Sequence, residues 1–150
     1  MSDQDVLQRI SDELEIRNLV IKAAVYSDTI PDLDEFLTKY VPIFSEDCRW
    51  IFHPVHGQPD TPPYNGHADI IAGAKDRRSR HITGPGTHCF HHILNTLVTL
   101  NGDEAAATSY MHFVCKCDTT PQGFAYRVYR DRFRRTPQGW KLTLRELCPG

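Results

Sequence analysis

Apolar residues recur at helical spacing through the start of the chain. Leu7, Ile10 and Leu14 lead into Leu19, Val20, Ala23 and Ala24, with Ser2 or Asp3 placed to cap the N-terminus. Pro31 ends this helix and opens a second, whose stripe is Leu33, Phe36, Leu37, Tyr40 and Val41 and whose limit is Pro42. A first strand is predicted over 47–53, a Pro-, Gly- and Asp-rich loop over 54–63, and a third helix over 68–80 carrying Ile70, Ile71 and Ala74. After Gly84-Pro85-Gly86 the pattern turns to strands, predicted over 87–100, 104–117, 124–135 and 140–147. Their turns fall at Asn101-Gly102, Pro121-Gln122-Gly123 and Pro137-Gln138-Gly139. Helices first and a long antiparallel meander afterwards is an α+β arrangement. Strands this long must bend strongly to wrap a helix layer.

Composition narrows the function classes. The 150 residues fit one domain spanning 1–150, and 40% hydrophobic with 24% charged residues is ordinary for a globular protein. The net charge of -2 carries no steering signal. The basic run from Arg127 to Arg135 is interrupted by Asp131 and alternates as a solvated strand face does, so no nucleic-acid partner is expected. No stretch approaches the roughly 18 apolar residues of a membrane span. Met1 to Gln8 lacks the basic-then-apolar order of a signal peptide, so no membrane partner and a cytoplasmic location are expected. The five cysteines, at 48, 89, 115, 117 and 148, are read as reduced, mostly structural thiols.

The candidate chemistry lies in the strand segment His88-Cys89-Phe90-His91-His92-Ile93-Leu94-Asn95. Strand alternation puts His91 and Asn95 on one face with Ile93 and Leu97, where an ordinary core would hold only aliphatic residues. An imidazole that titrates near neutrality on an apolar face suits proton transfer in a pocket. A metal site is not expected. His88 and His92 share one face while Cys89 and His91 share the other, and Cys115-x-Cys117 is not the Cys-x-x-Cys knuckle of zinc sites. Gly84-Pro85-Gly86 precedes a strand rather than a helix, so it reads as a turn and not a phosphate loop. No cofactor is expected.

The order of motifs is Tyr26-x-Asp28, Phe44-x-Glu46-Asp47, Gly66 to Ile70, His91-x-x-x-Asn95 and Asn101-Gly102-Asp103-Glu104-Ala105. It ends with Tyr129-x-Asp131-x-Phe133-x-Arg135, Gly139-Trp140 and Arg145. Together, over residues 5–147, these resemble the SnoaL-like branch of the nuclear transport factor 2-like superfamily, closest to its scytalone dehydratase-like and dehydrochlorinase-like enzymes. The resemblance implies a cystatin-like, cone-shaped α+β barrel around a cavity, assembled as a homodimer or homotrimer. It also implies that Asp28 orients His91, which removes a proton beside a leaving group. Further pocket residues follow from it: Tyr26, Phe52, His53, Asn95, Tyr110, His112, Tyr129 and Arg135.

Several positions depart from the family pattern. Tyr26 stands two residues before Asp28, about 200° away on a regular helix. The dehydratase's carbonyl-activating tyrosine is matched by Phe52, unless His53 or Tyr64 substitutes. The register of His112 is open by one residue, with Met111 as the alternative. The set Arg127, Tyr129, Asp131, Phe133 and Arg135 is expected to face inward, with an Arg either stabilising an anion or paired with Asp131. Phe36, Trp50, Phe52, Tyr110, Phe133 and Trp140 are expected to line the pocket and suit a small hydrophobic cyclic substrate. The expected activity is a cofactor-independent lyase of the scytalone dehydratase type. The alternatives are a ketosteroid-isomerase-like isomerase, a polyketide cyclase, or a non-catalytic assembly module like a dioxygenase β-subunit.

Overall fold

The computed structural model describes residues 2–55, 57, 60–116 and 121–150. Its elements follow in the order α1 (Asp3–Thr29), α2 (Leu33–Tyr40), a 3-10 turn (Val41–Ile43), β1 (Phe44–Phe52), β2 (Tyr64–Asn65), α3 (Gly66–Ser79), β3 (Cys89–Asn101), β4 (Glu104–Lys116), β5 (Pro121–Thr136) and β6 (Gly139–Pro149). The described strands form one six-stranded sheet in the order β2-β1-β6-β5-β4-β3. Every pairing is antiparallel except β1 with β6, which is parallel. The class is α+β, as the meander predicts.

Helix α1 starts at a capping box, in which the Ser2 hydroxyl accepts from the Asp5 N–H while the Asp5 carboxylate accepts from the Ser2 N–H. Its buried face runs through Asp12, Ile16, Val20, Ala23, Ala24, Ser27 and Asp28. Leu7, Ile10 and Leu14 are exposed, although they repeat at helical spacing. Periodicity marks an apolar stripe; the sheet chooses which side of the helix it covers. The core beneath joins Ile16 and Val20 to Phe36, Tyr40, Phe44, Trp50, Ile70, Phe133, Trp140 and Leu142.

Three local differences from the sequence expectation have clear causes. Strand β5 begins at Pro121, with Lys116 opposite Pro121 and Val114 opposite Phe124, so Pro121-Gln122-Gly123 lies inside a strand and not in a turn. The irregular register between Val114 and Cys115 absorbs the extra residue there. Strand β3 starts at Cys89 because His88 has a left-handed backbone (φ 57°). Within β3, Ile93 faces Met111 while Asn95 faces Tyr110, which leaves Leu94 as an extra residue. That bulge inverts the alternation beyond it, so His91 and Ile93 point in, and the next inward residues are Thr96, Val98 and Leu100.

Cysteine chemistry also differs. Cys89 and Cys115 stand opposite each other on β3 and β4 and form a disulfide, while Cys48 and Cys148 are free thiols. The expectation of reduced cysteines throughout missed this pair because adjacency depends on strand register, which an odd count of five does not reveal. Cys117 lies outside the described residues.

Candidate functional site

The end of α1 and the start of β3 meet at the site. Asp28, in the last turn of α1, is buried, and its Oδ1 lies 2.7 Å from His91 Nδ1. Its other oxygen accepts the His91 backbone N–H at 2.7 Å, so one carboxylate holds both the ring and the strand. Helix α3 secures this end of α1, since Arg78 donates to the carbonyls of Ile30 (2.8 Å) and Ser27 (3.2 Å). The Arg78 guanidinium lies 3.9 Å from the centre of the Phe36 ring, and burial lowers its pKa. With Nδ1 donating to the carboxylate, the ring keeps Nε2 as its basic nitrogen.

His91 lines a cavity of about 220 Å³ together with Trp50, Phe52, Arg77, Met111, Phe113, Arg127 and Tyr129. A smaller recess of about 20 Å³ shares Trp50, Arg77, His91 and Tyr129 and adds Ser27, Tyr40 and Arg145. Most of the wall is apolar, and the Phe113 ring centre is 4.6 Å from that of His91. Burial pushes the Tyr129 phenol up to about 12, so it stays neutral and can donate at any physiological pH. Arg145 is 2% exposed and pairs with Asp131 through two bonds of 2.8 and 2.7 Å. Burial disfavours its charge, but Asp131 more than compensates and raises its pKa. Arg77 is held differently: it donates to the Tyr64 hydroxyl at 2.9 Å and lies 5.4 Å from the Trp50 ring centre.

Phe52 and Tyr129 thus join His91 at the cavity, and the inward set of β5 is the one expected. Other expected residues lie elsewhere. Asn95 is exposed past the Leu94 bulge, where its Oδ1 accepts from the Tyr110 N–H. Tyr110 is 54% exposed and His112 rests edge-on against Tyr126 on the outer sheet face, because Met111 holds the inward phase of β4. Tyr26 packs partly buried against the core and is absent from the cavity wall, since α1 stays helical to Thr29. His53 follows the end of β1 and meets Glu146 at 2.9 Å, exposed. Arg135 pairs with Asp12 and Asp103 near the opposite end of β5.

Of the expected aromatic lining, Trp50 and Phe52 are at the cavity, whereas Phe36, Phe133 and Trp140 fill the closed core. Among the described residues no group of three or more His, Cys, Asp or Glu could hold a metal ion. Sequence reasoning missed Arg77 and left Met111 as a register alternative. The signal for Arg77 was present, because Ile70, Ala74 and Arg77 stand at i, i+4 and i+7, placing a cation on the buried face of α3.

Comparison with known proteins agrees with this architecture. A structure of an NTF2-like protein with a cystatin-like fold from Novosphingobium aromaticivorans superposes with a TM-score of 0.77 at 23% identity, covering 97% of this chain and 86% of the other. A protein from the same organism, provisionally named scytalone dehydratase, gives 0.68 at 18% identity, covering 100% and 89%. LinA gives 0.66 at 18% identity, covering 100% and 91%. At such identities the likeness shows the cystatin-like fold. The chain matches no curated protein sequence. The model of the SnoaL-like domain family matches residues 8–146, nearly the whole chain, and the protein belongs to that family.

Proposed function

We propose that the protein is a lyase that needs no cofactor, a dehydratase in which His91 is the general base and Asp28 its orienting partner. The observation that carries this reading is the Asp28–His91 contact of 2.7 Å at the wall of a largely apolar cavity. A carboxylate on Nδ1 holds the tautomer and stabilises the imidazolium formed when Nε2 takes a proton. An ion-prone pair in an apolar wall costs stability, which favours a catalytic role over a purely structural one. Two structural neighbours add support: the protein provisionally named scytalone dehydratase, and LinA.

The reaction balances on His91 alone. The C–H bond next to a carbonyl breaks, its proton goes to Nε2, and its electron pair moves onto the carbonyl oxygen as an enolate. The enolate re-forms the carbonyl as the β-hydroxyl leaves with the proton from His91, so water is lost and the base is restored. The cavity suits a small ring: benzene occupies an engineered cavity of about 150 Å³, and this one measures about 220 Å³.

The test is turnover of a panel of cyclic hydroxy-ketones and halogenated rings in deuterated water. Wild type should eliminate water, and His91→Ala should lose about 10²–10⁴-fold, the usual contribution of a general base. Deuterium exchange without elimination would instead point to an isomerase that returns the proton. Unchanged turnover in His91→Ala would remove His91 from the mechanism.

A further inference from the structure

Three guanidiniums reach the cavity walls, and they differ in how their charge is met. Arg145 is neutralised by Asp131. Arg77 and Arg127 line the main cavity, and among the described residues neither has a carboxylate partner. Arg127 spends one donor on the neighbouring Tyr126 carbonyl and lines the main cavity but not the recess. Arg77 lines both the main cavity and the recess, as His91 does. Its identified partners are neutral: the Tyr64 hydroxyl and the faces of Trp50 and Tyr64, at 5.4 and 5.6 Å. A guanidinium has five N–H donors, so one hydrogen bond leaves most of them unassigned.

A second orphan adjoins it. Trp50 is buried and lines both spaces, and its indole Nε1 has no hydrogen-bond partner among the described residues. Buried donors are rarely left unmet in a folded protein, so an unmet one calls for an acceptor. Among the residues lining both spaces, the donors left without an acceptor thus include the remaining N–H groups of Arg77 and the indole N–H of Trp50.

We propose that Arg77, with the Trp50 indole N–H beside it, receives the anionic oxygen of the substrate. The substrate class is therefore a planar ring bearing a carbonyl that enolises, or a phenol-type oxygen, and not a neutral hydrocarbon or halocarbon. This deepens the reading of His91 as the base: the electron pair released from carbon arrives on an oxygen already faced by a cation. Such donors act most strongly in a site with little water.

The test uses 4-nitrophenolate as the probe and 4-nitrotoluene as its neutral counterpart, both followed by quenching of tryptophan fluorescence, with the phenolate absorbance band as a second readout. Wild type should prefer the phenolate. Arg77→Met should weaken phenolate binding about 10- to 100-fold, the range for a hydrogen bond to a charged group, and leave 4-nitrotoluene binding as it was. Arg77→Lys should keep part of the preference, and Arg127→Met and His91→Gln should keep it whole.

Equal binding of the two probes by wild type, or no binding of the phenolate, overturns the proposal. So does equal loss of both probes in Arg77→Met, which would mark Arg77 as packing only, and so does a preference that follows Arg127 or His91 instead. If Arg77→Met does not fold by circular dichroism, the wild-type comparison and Arg77→Lys still decide. Failure of the base reading looks different: turnover would survive His91→Ala while the Arg77-dependent preference stood.

Discussion

At the residue scale, two buried carboxylates do different work. Asp28 accepts from both the ring and the backbone N–H of His91, and an amide in its place can accept on only one side. Asp28→Asn is therefore expected to lower both turnover and stability, the latter by about 1–3 kcal/mol for the unmet donor. A urea titration with circular dichroism measures the stability loss, and an unchanged midpoint would contradict it. Asp131 instead neutralises Arg145, and both are 2% exposed. Asp131→Ala would strand a buried guanidinium and should cost about 3–5 kcal/mol, whereas replacing both partners by apolar residues should cost far less. Comparing the single and double variants by thermal melting separates pairing from packing.

At the scale of elements, α3 governs what the cavity contains. A Cβ at Gly73 would fall 2.4 Å from the Tyr64 ring, so only glycine lets that ring lie against the helix and hold Arg77. Gly73→Ala should cost about 1–3 kcal/mol through overpacking and displace Tyr64. The readout is a lowered melting temperature together with a weakened preference for 4-nitrophenolate. The Leu94 bulge does comparable work in β3. Were Leu94 paired regularly instead, the side chains beyond would exchange faces, bringing Asn95 and Leu97 inward as plain alternation predicts and turning Thr96 out. Deletion of Leu94 would leave Asn95 alone between the inward Ile93 and Thr96, so the hydrogen bond of Thr96 to Ser109 inside is kept and cooperative unfolding followed by circular dichroism should survive; its loss would contradict this reading of the bulge.

At the scale of the whole molecule, the end of the sheet remote from His91 has its own polar hub. Asp12 accepts from Arg135, Gln8 and the Trp140 indole, and Arg135 foremost holds its carboxyl down at about 2. An unfolded aspartate titrates near 3.9. The unfolded chain therefore binds more protons between these values, and the stability Asp12 contributes is complete above about pH 4 and lost as the pH falls through about 2. Acid titrations of wild type and Asp12→Asn should differ in that window and run parallel above it. The homodimer or homotrimer implied by the family resemblance has a surface available, since Leu94, Leu97, Tyr110 and Tyr126 are exposed on the outer face of the sheet. Light scattering after gel filtration should report an oligomer that Leu97→Glu with Tyr110→Glu dissociates; a monomeric wild type would exclude it.

Much of this was legible in one dimension. Helical spacing, the change to strand spacing after Gly86 and the Asn101-Gly102 turn determined the element order and the α+β class, because local backbone preference and burial period are local properties. The ordered motifs brought Asp28 and His91 forward together. Other features became visible only in three dimensions. A single extra residue at Leu94 reversed the face of Asn95, register joined Cys89 to Cys115, and the packing of α1 and α3 on the sheet brought Arg135 to Asp12 and Arg77 to the cavity. Each depends on contacts between residues far apart in the chain, and the period of a strand or helix carries no record of which distant partner its face will meet.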